Sequence, residues 1–165
     1  MDTDTALPGD PRLRTALSVL GWVLLAQLAG LVGSVATASS VNGWYTTLVR
    51  PELAPPGWVF APVWTTLFTL MGVAAFLAWR AEGTRWPAFV AFGGQLLLNV
   101  AWSFVFFGAQ AIGPALAVIA VLWIAILLNA VLFARLDRRA GLLLVPYLAW
   151  VAFAAYLNYG FWMLN

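Results

Sequence analysis

Five predominantly apolar stretches, each near the length that crosses a bilayer, dominate this chain. They run Thr15–Ala38, Trp58–Trp79, Trp86–Phe107, Ile112–Ala134 and Leu142–Leu164. An α-helix needs about 20 apolar residues to span the hydrocarbon core. In lipid every backbone N–H and C=O must be paired within the segment, so each stretch is predicted to be helical. The expected fold is an all-α membrane protein, a five-transmembrane-helix bundle whose partner is the lipid bilayer. Composition agrees: 64% of residues are hydrophobic and 8% charged, against about 25% charged in an ordinary soluble domain. So few charges cannot cover the surface of a soluble enzyme. A net charge of +2 builds no phosphate-binding face, so no nucleic-acid partner is expected.

Arg12 and Arg14 before the first stretch invite a signal-peptide reading. The stretch is too long for that, and no clear cleavage site follows it, so it is read as a retained helix. Residues 1–14 form a polar tail, with 1–11 expected to be disordered, and 15–165 form one membrane domain. An odd number of spans disfavours a simple duplicated-transporter architecture.

Arginine placement predicts orientation. The tail, second loop and fourth loop share one side and carry Arg12, Arg14, Arg80, Arg85, Arg135, Arg138 and Arg139; the other side carries only Arg50. A multi-pass protein of a bacterial cell membrane is expected, with its N terminus cytoplasmic and C terminus outside.

Two absences narrow the chemistry. The chain has no Cys and no His, hence no thiolate nucleophile, no imidazole base and no metal site of ordinary type. No tightly bound cofactor is required. Aromatics are abundant instead, with 10 Trp, 11 Phe and 4 Tyr, more Trp than membrane residence alone explains.

The one long connection, Ser39 to Gly57, contains Pro51, Pro55, Pro56, Trp44 and Tyr45. A loop of this length either lids a site or lies at headgroup depth, and the residues leave both readings open. Polar residues inside spans usually face the bundle interior. Gln95, Asn99 and Ser103 recur every fourth residue and share a helix face with Trp102 beside them. Tyr147, Trp150, Ala154, Leu157 and Asn158 form another stripe, and Trp64, Phe68 and Met71 a third. The amides either bond a neighbouring helix or face a ligand. The Ala26, Gly30, Ser34 row reads as helix packing, and Trp22, Trp79, Trp86 and Trp162 as interfacial or lipid-facing. Trp64, Trp102 and Trp150 could wall a flat cavity suited to a planar, mostly apolar ligand.

These residues resemble the translocator protein family, also known as the tryptophan-rich sensory proteins or peripheral-type benzodiazepine receptors. The resemblance is carried by WY at 44–45, RP at 50–51, PPGWVFAPVWTTLF over 55–68, MG at 71–72, GQLLLNVAW over 94–102, FFG at 106–108 and VPYLAWVAFAAYLNY over 145–159. It implies a five-helix bundle, usually a homodimer, that binds porphyrins (protoporphyrin IX or haem as ligand), sterols, and isoquinoline or benzodiazepine-type drugs in a pocket beneath the first loop. By motif, Trp58, Trp64, Asn99, Trp102, Tyr147, Trp150, Ala154 and Leu157 are its expected walls, with Trp44 above them. If the protein degrades porphyrin in light, as some bacterial members are reported to, Trp64 and Trp150 are the candidate catalytic residues. The porphyrin would be the photosensitiser and the indoles oxidisable neighbours.

The chain departs from the family pattern in three places. Arg50-Pro51-Glu52-Leu53 lacks a loop tryptophan. Pro114 stands where mammalian members have a pocket-lining tryptophan. Met163 stands where the sterol motif needs a basic residue after Leu157 and Tyr159, which leaves that motif incomplete. Three functions remain in play: a porphyrin-binding sensor, a light- and oxygen-dependent porphyrin-degrading enzyme, and a passive porphyrin or sterol transporter.

Overall fold

The computed structural model describes residues 10–165; most of the segment expected to be disordered therefore lies outside the described residues. The elements are α1 (Pro11–Ser40), α2 (Trp44–Thr47), α3 (Phe60–Arg80), α4 (Trp86–Ser103), α5 (Ile112–Leu136), α6 (Arg138–Leu143) and α7 (Val145–Leu164). A single 3-10 turn, Gly57–Val59, leads into α3, and a wide π turn, Phe104–Gly108, ends α4. Five helical segments are long and apolar enough to cross a membrane: Pro11–Ser40, Gly57–Arg80, Trp86–Gly108, Ile112–Leu136 and Arg138–Leu164. Among the described residues there is no strand. The chain is an all-α five-helix bundle.

Local chemistry explains the boundaries. Asp10 caps α1, its carboxylate accepting the Arg12 N–H at 2.9 Å, and Pro11 occupies a first-turn position where no N–H is needed. The helix thus begins four residues before the apolar stretch does and takes in Arg12 and Arg14. Pro87 and Pro146 sit in the first turns of α4 and α7 in the same way. Asp137 starts α6 by accepting the Arg139 N–H at 2.7 Å.

α1 packs on α3 and α4, α4 on α5, and α5 on α7. The ring closes from α7 to α3 through side chains, with Trp64 to Tyr147 at 6.2 Å and Phe60 to Trp150 at 6.0 Å between ring centroids. The end carrying the Arg80–Trp86 and Asp137 connections is close-packed. A Cβ on Gly72 would lie 2.4 Å from Val23 Cα, so only glycine fits where α3 crosses α1. Ala74, Ala75 and Ala78 are fully buried, and Phe92 stacks on Phe133 at 5.7 Å. Trp22, read from sequence as interfacial, joins this end instead: it is half-buried, 5.6 Å from Trp79 and 5.1 Å from Phe89. Trp79, Trp86 and Trp162 are exposed.

The opposite end is covered by the Val41–Pro56 connection. Its short helix α2 sets Trp44 and Tyr45 on Phe106, Phe107 and Phe161. This connection roofs an internal space.

Candidate functional site

Beneath the roof lies a cavity of about 380 Å³, within the range usual for small-molecule sites. Its walls come from α1, α3, α4 and α7, with Tyr45 reaching in from the roof.

The α4 and α7 walls grow from the stripes seen in sequence. Asn99 lines the cavity and its Nδ2 donates to Tyr147 Oη at 2.9 Å. Trp102 lines it too; its Nε1 donates to Asn158 Oδ1 at 3.1 Å, and Asn158 Nδ2 donates to the Ile112 carbonyl at 2.9 Å. Two buried amides therefore tie α4 to α7 and α7 to α5, and each orients an aromatic ring. Trp102 stacks on Phe106 at 5.4 Å, which fixes its face. Gln95, one turn below Asn99, does not line the cavity. It is fully buried against Met71.

Trp64 lines the α3 wall, leaning on Phe68 at 5.7 Å. Trp150 faces it from α7; its indole Nε1 is buried and has no protein partner. A buried donor left open is costly unless something accepts from it. Ala154, one turn on from Trp150, lines this cavity and a smaller space of about 40 Å³ lying between α4 and α7. Tyr45, Phe60, Trp102 and Phe107 line both as well, so Ala154 stands where the two spaces adjoin.

Of the residues proposed from sequence, Trp64, Asn99, Trp102, Trp150 and Ala154 are thus brought together. Four sit elsewhere. Tyr147 is fully buried behind Asn99 and Trp64 as their support. Leu157 lines only the smaller space. Trp44 packs on Phe106 at 5.8 Å, while its neighbour Tyr45 supplies the roof contact to both spaces. Trp58 is 76% exposed and lines neither. Residues three apart eclipse in a 3-10 turn, so Gly57 and Phe60 share the cavity side and Trp58 points away. Pro114 is exposed.

The wall that sequence reasoning missed is α1, through Gln27, Gly30, Ser34, Thr37 and Val41. Their spacing of three, four, three and four keeps one helix face. The row read as packing is split: Ala26 is buried in helix contacts, Ser34 turns to the cavity, and Gly30 does both. A signal existed, since Gln27, Ser34 and Thr37 are the polar members of one face in an apolar span.

Among the described residues no Asp, Glu or Arg side chain lines the cavity, and Tyr45 is its one phenol. What the arrangement can do is hold a flat apolar body between indoles, with amides and hydroxyls at its edge. It presents no acid, base or nucleophile pair.

The chain matches the sequence model of the TspO/MBR family over residues 22–163. It is 46% identical over 147 residues to the tryptophan-rich protein TspO of Chlorobaculum tepidum, covering 86% of this chain and 91% of that one. It is 37% identical over 150 residues to the translocator protein of Bos taurus, covering 88% and 89%. It is 36% identical over 149 residues to the tryptophan-rich sensory protein of Cereibacter sphaeroides, covering 88% and 94%.

Proposed function

This chain belongs to the TspO/MBR family of membrane proteins, and we propose that it binds a porphyrin, protoporphyrin IX or haem, in the cavity beneath its roof and serves as a porphyrin sensor. The observation that carries this reading is the pairing of Trp64 and Trp150 with Trp102 around an uncharged space of about 380 Å³. Stacking and dispersion on such faces suit a planar macrocycle. Sterols and isoquinoline or benzodiazepine-type drugs share the flat apolar character and are proposed as competing ligands.

The test is a titration of protoporphyrin IX into the purified protein. A saturable Soret shift with matching quenching of tryptophan emission is expected. A linear, non-saturable response would remove the porphyrin reading.

A light- and oxygen-dependent breakdown of the bound porphyrin is the second reading. Trp64 and Trp150 favour it because two oxidisable indoles line one cavity. The excited porphyrin would give an electron to molecular oxygen, either directly or with an indole as relay, and the oxidised macrocycle would then be attacked by the reduced oxygen, so that oxygen is the oxidant and the porphyrin is what is oxidised. Illumination of the complex separates the readings: Soret loss beyond one equivalent means turnover. Passive passage of porphyrin or sterol is the third, and transfer between vesicles reads it.

The proposed setting is a bacterial cell membrane, with the N terminus cytoplasmic and the roof outside, from the arginine asymmetry. Because the chain has no cysteine, a single thiol at the exposed roof position, Thr46→Cys, should react with an impermeant maleimide in intact spheroplasts, and one at the exposed Thr84→Cys should not. The reverse pattern would invert the topology. A homodimer is proposed from the family resemblance, and its mass in detergent checks it.

A further inference from the structure

The cavity has a roof and a flank, and they are built differently. The roof is tied to the end of α7. Asn165 accepts the Val49 N–H on Oδ1 at 2.9 Å and donates from Nδ2 to the Val49 carbonyl at 3.1 Å, the paired bonding of a neighbouring strand. A third bond, from Asn165 Nδ2 to the Phe161 carbonyl at 2.9 Å, holds the amide in place. Pro51 is buried on Gly160, where a Cβ would come within 2.7 Å of Pro51 Cγ. Arg50 donates to the Pro55 carbonyl at 3.3 Å and lies over the Tyr45 ring.

The flank between α1 and α3 has no such closure. Leu31 and Ser34 on α1, and Ala61 and Thr65 on α3, line the cavity and are at the same time exposed, as is Gly57 in the turn that leads into α3. A residue that does both stands at an opening. Below them Gln27 bridges the helices, donating to the Thr65 carbonyl at 2.9 Å and to Thr69 Oγ1 at 3.0 Å. Beyond that bridge the Gly72 crossing shuts the groove. The result is a slot floored by Gln27, and its four lips all fall within membrane-spanning segments.

We propose that the cavity is loaded sideways from the bilayer, through the slot between α1 and α3, while the roof stays latched to α7 against water. The ligand class is then a planar amphiphile already dissolved in the membrane, which goes in edge first. The slot hydroxyls suit such a ligand. Ser34 and Thr65 each donate to a carbonyl of their own helix, which leaves their oxygen lone pairs at the rim to accept from a polar substituent. In hydrocarbon, where no water competes, even this weak acceptor rim orients a substituent. The inference rests on the tetrapyrrole reading above, and its test is chosen so that the two can fail separately.

The cysteine-free chain allows single thiols at Ser34→Cys and Ala61→Cys. In nanodiscs, each variant is compared before and after labelling with a bulky maleimide, following protoporphyrin IX uptake and release by tryptophan quenching. Labelling should slow uptake and release, each tenfold or more. A label that only fills the cavity would instead weaken binding and speed release. Asn165→Ala should leave both rates unchanged yet let aqueous iodide quench the cavity tryptophans. Unchanged rates after labelling, or faster uptake in Asn165→Ala, would make the roof the route and overturn the proposal.

A second readout needs no ligand. Bimane on Ser34→Cys should be quenched more by lipids carrying a mid-chain nitroxide than by aqueous iodide. Stronger quenching by iodide would place the slot in water. Absence of saturable porphyrin binding would remove the functional reading alone, and the bimane result would still decide the slot.

Discussion

The two ends of the bundle solve opposite problems with the same residue types. At the end near the Arg80–Trp86 connection, small residues bring helices into contact: Gly72 meets the α1 backbone, and Ala74, Ala75 and Ala78 leave no space. Toward the roof, small residues leave space open: Gly30, Ala61 and Ala154 face the cavity. Polar groups divide likewise. Asn158 is bonded to Trp102 in the cavity wall and Asn99 to Tyr147 behind it, whereas Gln95 Oε1 and Asn129 Oδ1 are buried in the packed half with no protein donor. The packed half supplies rigidity, and the open half holds an arrangement that rigidity keeps from collapsing.

The largest effect expected from breaking this contrast is at Gly72. A side chain there meets backbone atoms of Val23 and Trp22, which cannot rotate away. Gly72→Leu should cost about 3 kcal/mol or more, at or beyond the usual range for overpacking, read as loss of the folded fraction in an SDS titration. Gly93→Ala is the matched control, since nothing lies within 4 Å of its Cβ. It should be neutral or stabilising by a few tenths of a kcal/mol, up to about 1, from helix propensity. Equal destabilisation of the two would mean the crossing is not tight.

At the open end the same kind of change should strike binding before stability. Ala154→Leu adds bulk where the two spaces adjoin and should weaken porphyrin binding by about 1–3 kcal/mol. Unchanged affinity in a well-folded variant would remove Ala154 from the site.

How far these regions could be read from sequence follows the same division. The five spans were legible because length and apolarity alone specify a membrane helix. The Asn99 and Trp102 stripe was legible because polar residues in lipid must face inward. The α1 wall was not: a run such as Gly30 to Ser34 is equally a packing motif, and only the splay of α3 decides which. No residue pattern announces the π turn at Phe104–Gly108, which sets Phe106 and Phe107 side by side. The Asn165 latch joins residues 116 positions apart, beyond any local signal. Trp58 was carried over by motif, but a 3-10 turn turned it outward.

A smaller effect separates the bonded amides from the orphaned ones. Asn99→Leu removes the donor to Tyr147 Oη and should cost about 0.6–1.7 kcal/mol, the range for hydrogen bonds between membrane helices. Gln95→Leu removes an acceptor that has no donor and a long contact to Met71 Sδ, so it should be neutral or stabilising. Comparable losses in the two variants would mean that Gln95 has a partner, such as a buried water, and that the packed half is less dry than its side chains suggest.

The smallest binding effect is expected where the chemical effect could be largest. Trp64→Phe and Trp150→Phe keep an aromatic face on each cavity wall while removing the easily oxidised indole. Stacking is worth about 0.5–1.5 kcal/mol in all, and Phe keeps part of it, so each variant should bind protoporphyrin IX within about fivefold of the parent. Under illumination at equal occupancy, any porphyrin loss that depends on the indoles should fall sharply in both. Bleaching at the parental rate in both variants would make Trp64 and Trp150 walls only. The cavity would then stand as a binding site, and the degradative reading would lose the two residues on which it rests.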